Sequence, residues 1–100
     1  MAVIRTTRFT ADPADAEMLL ARRAELLAAV REAFAGPAAA HLVRLDGQTW
    51  LDIWQWDSPQ ALQAALQGAP GMPQAAAAFA VTRDASAEVG EVVSEDVWTR

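Results

Sequence analysis

Asp46-Gly47-Gln48-Thr49-Trp50-Leu51-Asp52-Ile53-Trp54-Gln55-Trp56-Asp57-Ser58-Pro59 is the stretch from which the fold is read. Asp-Gly between two extended runs marks a hairpin turn. Thr49–Trp56 is predicted to be its return strand. The period of two then sets Trp50, Asp52, Trp54 and Trp56 on one face and Leu51, Ile53 and Gln55 on the other. Asp57-Ser58-Pro59 starts a helix, with Ser58 as cap and Pro59 at the first helical position.

Outward from this hairpin, Val3–Thr10 is rich in β-branched residues and reads as a first strand. Asp12-Pro13 opens a helix running to about Ala35, where Gly36-Pro37 ends it. Its apolar stripe, Met18, Leu19, Leu26, Leu27, Val30 and Phe34, is interrupted only by Arg23. A second strand is expected from about Ala40 to Leu45. Leu62, Ala65, Leu66 and Ala69 form one face of a short helix, broken at Gly68, Pro70, Gly71 and Pro73 before a further helical piece from Gln74 to Phe79. Residues 87–98 alternate apolar and acidic side chains and read as a final strand.

The order β-α-β-β-α-β is the split βαβ, ferredoxin-like arrangement, an α+β fold with an antiparallel sheet in a single domain over residues 1–100. Its helices cover one sheet face. Leu51 and Ile53 suit that covered core, and the indoles are expected on the opposite face, where a second copy would enclose them.

Composition narrows the function. The net charge of −5 opposes a phosphate backbone, so nucleic acid is not an expected partner. Alanine supplies nearly half of the 53% hydrophobic residues, and no apolar run is long enough for a membrane span. The first nine residues lack the apolar core of a signal peptide, and cysteine is absent; a cytoplasmic location is the expectation. With one histidine and no cysteine, no His/Cys metal cluster can form, and no Gly-rich phosphate loop is present; no cofactor is expected.

Asp46–Ala61, a polar turn, an apolar strand, then Trp, an acidic residue, Ser and an Ala-rich helix, resembles the hairpin and helix entry of antibiotic biosynthesis monooxygenase (ABM)-type domains. Ala69–Ala76 is similar to the broken second helix of some members. The resemblance implies a dimeric α+β barrel, a homodimer with one pocket per subunit. It also implies cofactor-free oxygenation of a polycyclic aromatic phenol in secondary metabolism. The chain departs from the better-known oxygenases in having no tyrosine. It also lacks asparagine, and with it the Asn–His–Trp set of haem-degrading relatives.

The expected catalytic residues are Asp52, among the indoles, and His41, titratable near neutrality. Each has a plain structural alternative: Asp52 paired with Arg5, Arg8 or Arg44, and His41 solvated at a strand edge. Trp50, Trp54 and Trp56 can stack a planar substrate or simply pack. Arg8, Met72 and Phe79 complete the expected substrate contacts. A non-enzymatic dimer binding a hydrophobic ligand, and a cyclase or isomerase on the same barrel, are the other functions this pattern allows.

Overall fold

The computed structural model describes residues 1–98. Strand β1 (Val3–Thr10) leads through a 3-10 turn (Pro13–Asp15) into helix α1 (Ala16–Ala33). Strands β2 (Ala39–Arg44) and β3 (Thr49–Trp56) form the hairpin. Helix α2 (Pro59–Gly68), a second 3-10 turn (Ala69–Gly71), helix α3 (Pro73–Phe79) and strand β4 (Arg83–Glu91) follow. The sheet order is β2-β3-β1-β4, every neighbouring pair antiparallel, which is the ferredoxin-like α+β topology.

The local chemistry accounts for the element ends. Asp46 Oδ1 accepts from the N–H groups of Gln48 and Thr49 at 2.8 Å each, closing the hairpin turn. Ser58 Oγ accepts from Ala61 N–H at 3.1 Å, capping α2. Asp12 accepts from Ala14 N–H at 2.9 Å, but the turn it caps is the 3-10 segment, so α1 proper begins at Ala16. The last strand differs from the expectation for residues 87–98: it starts at Arg83 and stops at Glu91. Pairing with β1, from Thr10↔Arg83 to Val3↔Glu91, sets those limits. The alternation beyond Glu91 continues in a segment that has no strand partner.

The orientation of the tryptophan strand is reversed from the expectation. Trp50, Asp52, Trp54 and Trp56 face the helices, and Leu51, Ile53 and Gln55 look away. The packing is explicit: Trp56 lies with Val3, Val30, Leu62 and Ala65 in one buried cluster, and Trp50 with Phe9, Ala11 and Leu19 in a second. An indole offers far more apolar area than Leu or Ile, so alanine-rich helices gain most by packing on tryptophan.

The two clusters occupy opposite ends of the covered face. The helix-facing residues of β1 run Val3, Arg5, Thr7, Phe9, and those of β3 run Trp56, Trp54, Asp52, Trp50, paired in that order. Apolar ends thus flank a polar middle. Along α1, Leu19 packs at one end and Val30 at the other, with Arg23 and Leu26 over the middle. Opposite that middle, α3 contributes the small side chains of Ala75 and Ala78. Small residues above polar ones leave the centre of the interlayer unfilled.

Candidate functional site

That centre is a cavity of about 150 Å³ between the sheet and the helices. Arg5, Thr7, Arg23 and Asp52 form its polar corner, and Trp54, Trp56 and Leu26 continue the wall. Leu66, Pro70 and Phe79 border it from the α2–α3 side. Phe79 is 52% exposed, so the wall it forms is also a rim.

Asp52 is the organising group. Its Oδ2 accepts from Arg23 Nε at 3.0 Å, and its Oδ1 accepts from Arg23 Nη2 at 2.9 Å and from Trp54 Nε1 at 2.7 Å. The guanidinium and carboxylate meet as a two-bond fork, each side chain 17% exposed. The two-residue spacing on β3 sets Trp54 beside Asp52, so one carboxylate orients both the indole and the arginine. Of the partners expected for Asp52, none is used. Arg5 Nη1 donates to Thr7 Oγ1 at 3.0 Å, the Arg44 guanidinium stacks 4.4 Å over the Trp50 ring, and Arg8 lies on the other face. Because the aspartate faces the helices, its partner comes from α1.

Of the expected site residues, the structure brings Asp52, Trp54, Trp56 and Phe79 together around the cavity. Trp54 and Trp56 are 6.3 Å apart between ring centroids, tilted by 37°. Trp50 is buried in the second apolar cluster and does not line the cavity. Met72 packs against the first cluster, outside the lining. His41 pairs with Ile53 and Arg8 with Leu51, which puts both on the bare face, exposed and away from the cavity. The residues missed are Arg23, Arg5 as a cavity group, and Thr7. The signal for Arg23 was present: a single arginine interrupting an apolar helical stripe, matched by a single aspartate among indoles.

The bare face of the sheet carries Ile4, Thr6, Leu51, Ile53 and Val43, each at least partly exposed. Every residue of β4 is exposed, and beyond it Val93, Val97 and Trp98 are between 83% and 88% exposed. Trp98 is therefore largely uncovered within the protomer. Gln55 Nε2 donates to Glu95 Oε2 at 3.4 Å, so the segment after β4 meets the bare face at one point.

Among the described residues, no three His, Cys, Asp or Glu side chains gather as metal ligands, and no helix is long and apolar enough to cross a membrane.

No protein-family model matches the chain, and no curated protein matches it. Solved structures do. SnoaB, a cofactor-independent oxygenase from Streptomyces nogalater, is 23% identical, with 94% of this chain and 95% of that one covered at a TM-score of 0.71. A candidate antibiotic biosynthesis monooxygenase from Caulobacter crescentus is 17% identical over 93% and 91% of the two chains, with a TM-score of 0.73. A dimeric ferredoxin-like protein from an uncultured marine organism is 16% identical over 98% and 93%, also at 0.73. With its strand order, its helical layer on one face and these likenesses over nearly its whole length, the chain has the ferredoxin-like α+β fold that these structures share.

Proposed function

We propose that the protein is a homodimeric, cofactor-independent monooxygenase acting on an aromatic phenol or anthrone held in the cavity between sheet and helices. The observation that carries this reading is the cavity itself: an apolar slot walled by Trp54, Trp56 and Phe79, with one oriented carboxylate at its polar end. The fold likeness to SnoaB, a cofactor-independent oxygenase, supports it.

In this reading the planar substrate lies along the indoles and its ionisable oxygen meets the polar corner. Asp52 Oδ2, which accepts a single bond from Arg23, has a lone pair for a substrate hydroxyl. Loss of the proton leaves a carbanion delocalised through the ring system. For an anthrone, the proton taken is a methylene hydrogen, carried on oxygen in the enol tautomer. The carbanion gives its electrons to dioxygen and forms one carbon–oxygen bond, and the peroxide takes the proton back from Asp52. The resulting hydroperoxide loses water, leaving a quinone. The methylene is oxidised to a carbonyl, one oxygen atom is kept, and the other leaves as water with both methylene hydrogens. The chain contributes orientation, a proton acceptor and a water-poor slot. His41, on the bare face, has no part in this step.

The second copy belongs to the bare face, where partly exposed Leu51 and Ile53, the wholly exposed β4 and Trp98 all lack cover within one protomer. Sedimentation should give a dimer, and Ile53→Asp should shift it towards monomer. Oxygen uptake with anthrone, without added flavin or metal, tests the chemistry. Uptake that falls at least tenfold in Asp52→Asn and Trp54→Ala is expected. No uptake above the buffer rate, with the ligand still bound, would leave a binding protein instead; the Asp52–Arg23 fork, which engages both carboxylate oxygens, is the feature that favours that second reading.

A further inference from the structure

The cavity holds two guanidinium groups and one carboxylate, and the carboxylate is committed to only one of them. Asp52 is held by Arg23 through both oxygens. Arg5 forms no ion pair among the described residues; its hydrogen bond is to the neutral hydroxyl of Thr7. Of the carboxylates on the sheet, Asp52 is already paired, Glu91 is exposed at the end of β4 opposite Val3, and Asp84, in the bulge of β4, does not line the cavity. Arg5 sits between Trp54 on β3 and Val89 on β4, partly buried, in the floor of the slot. A guanidinium presents five donors, and a half-buried one with a single neutral acceptor has donors to spare. Apart from Thr82, the remainder of the lining is apolar.

We infer that the ligand of this cavity is an aromatic anion, a flat apolar ring system bearing a carboxylate or phenolate oxygen, and that Arg5 is the residue that binds the charged oxygen. This rests on the proposed reading only in taking the cavity as the ligand site; it adds the charge of the ligand and the group that selects it. Thr7 then acts as a positioning residue, its hydroxyl holding the Arg5 fork open towards the indoles. Arg23 and Arg5 divide the work: Arg23 neutralises the protein's own carboxylate, and Arg5 is left for the ligand's.

The test compares two ligands of one shape, naphthalene carboxylate and naphthalene carboxamide, titrated calorimetrically into the full chain at neutral pH. A charge-assisted fork to a carboxylate in a partly dry slot predicts that the acid binds roughly tenfold more tightly than the amide. In Arg5→Gln the acid should lose about that factor while the amide is unchanged, and Arg5→Lys should restore part of it. Arg31→Gln, which removes an equal charge from the exposed last turn of α1, should leave the preference intact. Equal binding of acid and amide by the native chain, or a preference that survives Arg5→Gln, would overturn the role of Arg5. Binding of neither compound would overturn the cavity as a ligand site, and the proposed function with it. If Arg5→Gln does not fold, the native chain's acid-to-amide ratio and the Arg5→Lys variant still decide the matter.

Discussion

The two faces of the sheet both carry apolar side chains and have opposite fates. The covered face is apolar at its ends and polar at its centre: Val3 and Trp56 at one end, Phe9 and Trp50 at the other, with Arg5, Thr7 and Asp52 between. The bare face is a modest apolar patch with His41 and Arg8 beside it. Polar residues at the edge of a face are ordinary solvation. Polar residues at the centre, with the small side chains of Ala75 and Ala78 on α3 opposite them, keep a space open. The covered face therefore holds the protomer together and encloses the cavity, whereas the bare face is left without cover within the protomer, where the proposed second copy would sit.

Truncation separates the faces most sharply. Trp56, 2% exposed, is packed by Val3, Val30 and Leu62, and Trp56→Ala should cost about 3–5 kcal/mol in denaturant unfolding. Ile53→Ala on the bare face should cost an amount that grows with protein concentration, because in the proposed dimer its packing belongs to the association and not to the protomer. Equal, concentration-independent losses at the two positions would erase the distinction.

The polar centre comes next. Asp52→Ala strands the Arg23 guanidinium, 17% exposed, under the helical layer, and should cost about 3 kcal/mol. Adding Arg23→Ala should return part of that loss, a coupling read from the double-mutant cycle. Additive losses would mean that the fork contributes nothing as a pair.

Gly36 probes the same face from its edge. Its φ of +133° suits glycine, and an added Cβ would come within 3.0 Å of the Trp56 ring. Gly36→Ala should destabilise by about 1–3 kcal/mol, read as a lowered unfolding temperature by calorimetry.

Much of this architecture was legible in the residues. Val3–Thr10 and Thr49–Trp56 are strands with the expected bounds, and Ser58-Pro59 opens α2 as its capping chemistry predicts. The period of two identified which residues share a face. It could not say which face the helices take, because Leu51 and Ile53 are apolar enough to compete with the indoles. Area decides in favour of tryptophan, and the Arg23–Asp52 pair locks the choice, since a carboxylate on the covered face needs a cation from the helix above it. His41 followed the same logic in reverse. Its pairing with Ile53 carried it to the bare face as soon as the indoles turned inward. Arg5 was read only as a partner for Asp52, and its place as a separate cavity group emerged once Arg23 had taken that carboxylate.

The smallest effect belongs to the turn between β2 and β3. Backbone N–H groups of Gln48 and then Thr49 hold the Asp46 carboxyl below the usual carboxylate range. A depressed folded value means that the turn is supported above the unfolded value and loses that support as pH falls through the folded one. Acid titration should move the Gln48 and Thr49 amide resonances together, well below neutral pH, and Asp46→Ala should abolish the shared transition. Independent midpoints for the two amides would contradict a single acceptor.

The most direct measurement is a crystal structure of the protein soaked with naphthalene carboxylate. Ring density between Trp54 and Phe79, with its carboxylate at Arg5, is the expected result. Ring density on the other side of the sheet, against Leu51 and Ile53, with the interlayer space empty, would contradict it.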